Sequence, residues 1–233
     1  MDKSASLEQA LGIHFNDQSH LELALVHSSY VNENPDLAPA SNERLEFLGD
    51  AVLGLVFAAR LYRELPHSAE GELTRLRSDL VRRSTLARIA GGIGLGDHLF
   101  LGKGEESSGG RNKPANLAGA MEAVIGAAFL DQGWDATRDF ILRLFAPKLE
   151  QVIRQGAAVD YKSQLQHLFQ SRQQVAPSYH IIETKGPDHD RMFTAEVIVG
   201  NTVLGRGYGK SKKIAQTEAA YSVLEKMKDD FTK

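Results

Sequence analysis

Three carboxylates fall on one stripe of residues 42–50, Asn-Glu-Arg-Leu-Glu-Phe-Leu-Gly-Asp. The apolar spacing around them predicts a helix. At 100° per residue, Glu43, Glu46 and Asp50 then lie within about 60° of one another around its axis. Like charges three and four residues apart repel, each pair costing roughly 0.2–0.5 kcal/mol. The stripe interrupts an apolar run of Leu45, Phe47, Leu48, Ala51, Val52 and Leu53, with no lysine beside it. Carboxylates packed this way await a cation. Oxygen-only donors from one helix face suit Mg²⁺, a hard ion that keeps several waters and shares the rest of its shell with substrate phosphate.

A second carboxylate stands out for its isolation. Residues 117–130, Leu-Ala-Gly-Ala-Met-Glu-Ala-Val-Ile-Gly-Ala-Ala-Phe-Leu, hold a single charge, Glu122. A glutamate in an apolar helix is costly unless it is ion-paired or holds a metal. A salt bridge to a buried arginine is one reading. The other is a cation shared with the Glu46/Asp50 stripe, since small Ala and Gly neighbours let two helices approach closely.

The elements that must position these groups are mostly helical. Ser6 with Gln9 resembles a capping box opening a short helix that ends near Gly12. His20–Ser28 is apolar-periodic, and Val31–Ser41, with two prolines and two asparagines, reads as a loop. The carboxylate helix runs to about Glu64, followed by helices over about 69–81 and 84–91. A glycine-rich stretch, 91–110, precedes the Glu122 segment, and a last helix covers about 135–155. Residues 155–160, Gln-Gly-Ala-Ala-Val-Asp, mark a change of composition and read as a linker at 155–159. Beyond it come a helix over 161–171, three strands (179–184, 192–199 and 202–207) and a closing helix, 212–227. Gly200-Asn201 is the tight turn between the second and third strands. Ile214, Ala215, Ala219, Val223 and Leu224 form the closing helix's inner face. The expected fold is therefore an all-α domain (1–154) followed by a small α+β domain of α-β-β-β-α order (160–229).

Composition narrows the function. Hydrophobic residues at 42% and charged ones at 24% are those of an ordinary globular protein. With no cysteine there is no disulfide framework, thiolate metal site or cysteine nucleophile. No stretch approaches the roughly 18–20 uncharged residues of a membrane span, and the N-terminal segment lacks a signal-peptide profile. The expectation is a cytoplasmic protein with no membrane partner. The net charge of −3 hides an asymmetry: residues 155–233 carry 11 Lys/Arg against 9 Asp/Glu. Within them, 201–217 hold Arg206, Lys210, Lys212 and Lys213 and no acid. Such local positive charge is either a solvated edge or a nucleic-acid contact.

Two glycine clusters mimic nucleotide loops. Gly91-Gly-Ile-Gly-Leu-Gly96 follows a helix and has the wrong spacing for a dinucleotide fingerprint. Gly205-Arg-Gly-Tyr-Gly-Lys-Ser211 has three residues between the outer glycines where a P-loop needs four. His14, His20, His98 and His180 lack metal-ligand spacing, and Met121 and Phe129 read as core.

Asn42 to Asp50 followed by Ala-Val-Leu-Gly resembles the signature of the ribonuclease III family. Companion segments agree: Glu70-Gly-Glu-Leu-Thr-Arg-Leu-Arg-Ser-Asp-Leu-Val, Leu101-Gly-Lys-Gly-Glu-Glu and Glu122-Ala-Val-Ile-Gly-Ala-Ala-Phe-Leu-Asp. The C-terminal part is similar to a double-stranded RNA-binding domain, through Asp160-Tyr-Lys-Ser-Gln-Leu-Gln, Gly186-Pro-Asp-His and Gly209-Lys-Ser-Lys-Lys-Ile-Ala. The resemblance implies a homodimeric endoribonuclease that uses Mg²⁺, with Mn²⁺ as a workable substitute. It would hydrolyse double-stranded RNA to 5′-phosphate ends with short 3′ overhangs, and so process structured precursors such as ribosomal and messenger transcripts. It makes Asp50 and Glu122 catalytic and Glu46, Asp50 and Glu122 metal ligands. Glu43 lies at the site's edge and ranks below them. Phe47 matches the aromatic inserted into the partner subunit. For RNA the resemblance implies Ser163 and Gln166 in one minor groove, His189 in the next, and Lys210, Lys212 and Lys213 on the phosphates between.

The chain departs from the pattern in three places. Gly119 stands where the family carries an Asp three residues before Glu122. Ser28 follows His27 where an Arg is usual, and His167 replaces a frequent Glu. Gly119 opens the alternative of a double-stranded RNA-binding protein with a weakened or inactive nuclease site. A small-nucleotide phosphohydrolase is disfavoured by the RNA-binding tail.

Overall fold

A computed structural model describes residues 3–38, 40–172, 175–187 and 190–231. The elements in order are α1 (Lys3–Leu11), α2 (Gln18–Ala24), α3 (Ser28–Glu33), α4 (Glu43–Glu64), α5 (Glu70–Val81), α6 (Arg83–Gly92), α7 (Lys103–Ser107), α8 (Pro114–Leu144), α9 (Ala146–Ser171), β1 (Ser178–Lys185), β2 (Met192–Val199), β3 (Thr202–Gly209) and α10 (Lys212–Phe231). The chain divides into two compact units, one of Met1–Arg63 with Thr74–Val152, the other of Glu64–Leu73 with Ile153–Lys233. The expected fold class is what is found: helices first, then three strands and a closing helix.

In the first unit the two carboxylate-bearing helices are locked at their ends. Asn42 is buried and donates from Nδ2 to the Ala24 carbonyl at 3.0 Å, while its own carbonyl accepts the N–H of Glu46. The motif's asparagine thus ties the start of α4 to the end of α2. Helix α8 begins with Pro114 in its first turn, where a missing N–H costs nothing. It is broken at Gly133, whose φ of 74° is left-handed, so the Glu122 segment ends there and a second helical stretch continues to Leu144. The core between the elements is apolar and includes Phe57, Phe140 and Phe145, with the Phe57 and Phe145 rings meeting edge-on at 5.2 Å. Lys148 is buried and donates to Asp79 Oδ2 at 2.5 Å, an ion pair that fixes α9 against α5.

The second unit is an antiparallel sheet in the order β1-β2-β3, covered by α10 and the end of α9. Its core is Leu165, Phe169, Ala195, Val197, Ala215, Ala219, Ala220 and Val223. A Cβ at Gly205, Gly207 or Gly209 would stand 2.6, 2.1 or 2.4 Å from atoms of α10. The near-P-loop is therefore a strand whose alternate glycines admit a helix. The first glycine cluster is structural too: a Cβ at Gly96 would meet the Arg111 carbonyl at 2.2 Å, and Arg111 donates to the carbonyls of Gly96 and Leu99.

Several expectations need correction. The 155–159 stretch is helical, because α9 runs unbroken from Ala146 to Ser171. Its one weak helix former is Gly156, costing about 1 kcal/mol, and Ala157 and Ala158 favour the helix. Helix α1 starts at Lys3, so Ser6 lies inside it and is no cap. Part of the expected 31–41 loop belongs to α3, which His27 caps by accepting the Ser29 N–H at 3.2 Å. Ile214 is 49% exposed, at the edge of α10's inner face.

Candidate functional site

Helices α4 and α8 touch backbone to backbone. A Cβ at Gly49 would fall 1.7 Å from the Glu122 carbonyl oxygen, and one at Gly126 would fall 2.3 Å from that of Leu45. Glycine at both positions is what lets the helices come this close, and it brings Glu46, Asp50 and Glu122 into one region. The electrostatics register the crowding. Burial, reinforced by the Asp50 and Glu46 charges, pushes Glu122 up to about 7, against which Arg83 pulls down. Burial and then the neighbouring Glu43 raise Glu46 above the usual carboxylate range, with Asp50 adding and His27 and Arg83 opposing. Glu43 and Asp50 are exposed, whereas Glu46 and Glu122 are half-buried.

The donors fit a hard divalent cation in kind. They are all oxygens, they come from two rigid helices, and two of them are pushed toward protonation by burial, with neighbouring carboxylates adding. Among the described residues, no three His, Cys, Asp or Glu are gathered closely enough to hold an ion as they stand. Gly119 contributes a cradle: a Cβ there would stand 2.7 Å from Glu46 Oε2, so the Glu46 carboxylate lies in the space a side chain would occupy.

Sequence reasoning missed Arg83 and His27 as neighbours of this site. Arg83 opens α6, which packs on α8, and nothing in its local spacing marks it. Its charge is felt by both Glu46 and Glu122, yet it is remote from them along the chain.

Phe47 points away from the core and is 80% exposed. Leu55 and Tyr62, further along the same helix, are 56% and 73% exposed, and a groove lined by Leu23, Leu45, Leu48 and Leu130 opens beside Phe47. An apolar stripe of this kind on one helix is the mark of an interaction face.

In the second unit, Lys210, Lys212 and Lys213 are exposed at and just before the start of α10, Gln166 is exposed on α9 and Ser163 half-exposed. Lys210 pairs with Asp190 at 3.0 Å, and Arg206 with Glu196 at 2.6 Å. His189 lies outside the described residues. Lys162, which sequence reasoning passed over, donates to Gln216 Oε1 at 2.9 Å and sits 4.3 Å from the centre of the Tyr179 ring. Burial, with Lys213 adding, lowers its affinity for its proton.

A helical unit with clustered carboxylates, followed by a three-stranded unit with lysines at a helix start, is the plan of a nuclease joined to an RNA-binding module. Comparison with known proteins agrees in both parts. The ribonuclease-III-like family matches residues 17–149, and the double-stranded RNA binding motif matches 161–227. Curated relatives named ribonuclease 3 include one from Dehalococcoides mccartyi strain 195, 54% identical over 97% of this chain and 95% of its own length. Another, from Nocardia farcinica, is 50% identical over 94% of this chain and 91% of its own. A crystal structure of the nuclease domain of ribonuclease III from Campylobacter jejuni superposes with a TM-score of 0.58 at 40% identity, covering 64% of this chain and 97% of that one. A second Campylobacter structure, described as flexible in a region involved in dimer formation, has a TM-score of 0.57 at 41% identity, covering 61% of this chain and 95% of that one. The chain belongs to the ribonuclease III family and is an endoribonuclease of that type.

Proposed function

We propose that this chain hydrolyses phosphodiester bonds of double-stranded RNA in a Mg²⁺-dependent reaction, leaving 5′-phosphates and short 3′ overhangs on structured precursor transcripts. The observation that carries the reading is the Glu46–Asp50–Glu122 grouping across the α4–α8 contact, where burial, with the Asp50 and Glu46 charges adding, pushes Glu122 up to about 7. These three carboxylates would hold the ion, with Glu43 at the margin. When bound, Mg²⁺ supplies an activated water and neutralises charge on the reacting phosphate. Everything else is the work of the chain. The α4–α8 contact fixes the carboxylates relative to one another, and the small apolar neighbours of Glu122 on α8 leave it half-buried. The cost of burying these charges is offset when a cation arrives.

The second unit would supply the substrate. Lys210, Lys212 and Lys213 would grip phosphates at a helix N-terminus, Ser163 and Gln166 would enter one minor groove and His189 the next. Exposed Phe47, Leu55 and Tyr62 support a homodimer in which two such sites cut opposite strands. Mn²⁺ would substitute for Mg²⁺, and the reaction belongs in the cytoplasm.

Gly119 favours one second reading, a duplex-binding protein whose site is too weak to cut. A direct test is to incubate long duplex RNA with the purified chain and Mg²⁺ and map the product ends. Cut duplex with 5′-phosphate termini and no cleavage of single strands is the expected result. Intact duplex that is nevertheless bound would replace the first reading with the second.

A further inference from the structure

The ribonuclease III pattern leads one to expect a fourth carboxylate at position 119. The structure puts the carboxylate of Glu46 against that position instead. A Cβ built on Gly119 would stand 2.7 Å from Glu46 Oε2, 3.0 Å from its Cδ and 3.1 Å from its Oε1. All three are shorter than the roughly 3.5–4.0 Å of ordinary contact between carbon atoms. The missing side chain at 119 and the seat of Glu46 are therefore one feature. With any other residue at 119 the Cβ would crowd this carboxylate, which, as the end of a flexible side chain, would have to move aside.

The seat is built by the same packing that forms the site. Gly49 and Gly126 bring the α4 and α8 backbones together, and Glu46 lies one turn before Gly49 on α4. Its side chain is half-buried, unlike those of Glu43 and Asp50 on the same stripe. Gly119 itself is buried within α8, where glycine is otherwise an unfavourable helix residue.

We infer that Gly119 is a positioning residue. It seats the Glu46 carboxylate inside the helix interface, against the position where the family's Asp would stand. The inference rests on the metal-dependent reading given above. The ligand set is then Glu46, Asp50 and Glu122, and a side chain at 119 competes with Glu46 for space rather than adding to that set.

Calorimetric titration of Mn²⁺ into the metal-free full-length chain tests this without relying on cleavage, with the melting temperature measured for each variant. Gly119→Ala replaces a poor helix former by the best one, so on helix grounds alone it should keep or raise the melting temperature. It should nevertheless weaken Mn²⁺ binding about tenfold, the size of effect seen when a group that orients a ligand is altered. In a Glu46→Asp background the carboxylate is one methylene shorter and withdrawn from residue 119. There, Gly119→Ala should cost less than about twofold, because the two changes act on one contact. Unchanged Mn²⁺ affinity in Gly119→Ala would overturn the inference. So would an equal loss in both backgrounds, which would mean a distorted helix. Failure of the underlying metal reading looks different: no Mn²⁺ uptake by the wild type, or Glu122→Gln binding as well as the wild type.

Discussion

Glycine admits a close approach in both units, at the α4–α8 contact in one and at the β3–α10 contact in the other, with opposite electrostatic results. Gly49 and Gly126 draw two helices together and carry Glu46 and Glu122 into a half-buried interface, where burial, with neighbouring carboxylates adding, raises the proton affinity of both. Gly205, Gly207 and Gly209 let α10 lie close on the sheet, against Val223, Ala219 and Ile214, while Lys212 and Lys213 at its first turn stay exposed. The first contact gathers negative charge that, on the proposed function, a cation would relieve. The second leaves charge in water, ready for phosphate at small desolvation cost. The carboxylate site should therefore fail abruptly when one group is changed, and the lysine face should weaken in steps.

The largest effect should come from Glu122→Gln, which removes a negative donor while keeping its shape. Cleavage of duplex RNA should fall by at least about 100-fold, more than is lost when only an orienting neighbour of a metal ligand is changed. Gel-shift affinity for the same duplex should hold, since the lysines are untouched. Cleavage at the wild-type rate would remove Glu122 from the site.

Next in size is Gly49→Ala. Its Cβ would collide with the Glu122 carbonyl at 1.7 Å, a backbone atom that cannot swing aside. Thermal or urea melts should show a loss of about 1–3 kcal/mol or more, typical of overpacking. Gly207→Ala, 2.1 Å from the Ala219 amide nitrogen, should do the same to the second unit. If both variants melt like the wild type, the close contacts are not what holds either interface.

The pH response separates the two regions further. Glu122 has its folded pKa raised from 4.5 to about 7, so the protonated carboxyl is the form the folded chain favours. Without metal, that contribution to stability is fully present below about 4.5 and is lost as pH rises through about 7. Metal uptake has the opposite slope, since protons compete for the carboxylate: Mn²⁺ affinity should fall as pH drops below about 7. Glu122→Gln should flatten the stability profile across that window. An unaltered profile would assign the titration elsewhere.

The smallest and most graded change should follow Lys212→Ala with Lys213→Ala. Duplex binding should weaken alike for all sequences, and the slope of log affinity against log salt should flatten by about 2. Weakening confined to particular sequences would contradict recognition by shape and phosphate.

Local pattern makes much of this readable in the sequence itself. The 43–46–50 stripe depends only on helix periodicity, and Glu122 is conspicuous because its neighbours are apolar. The strand and helix order of the second unit follows from alternation and turn residues. What was not readable depends on distant packing. Arg83 and His27 reach the carboxylates through α6 and the α3 cap, which no spacing within their own segments announces. Gly119 reads in sequence as a missing ligand, and only the α4 approach reveals Glu46 lying over it. The near-P-loop misleads for the same reason, because its glycines answer to α10 and not to a phosphate. The continuity of α9 through 155–159 escaped because one glycine among alanines weakens a helix without ending it.

The central claim is that three carboxylates across the α4–α8 contact suffice for metal-dependent cleavage despite Gly119. Its most direct test is a Mg²⁺ titration of long duplex RNA with the wild type, Glu122→Gln and Gly119→Asp side by side. The account predicts saturable cleavage by the wild type, at least about 100-fold less by Glu122→Gln, and no gain over the wild type from Gly119→Asp. A wild type that leaves duplex intact at high Mg²⁺ while Gly119→Asp cuts it would contradict the account.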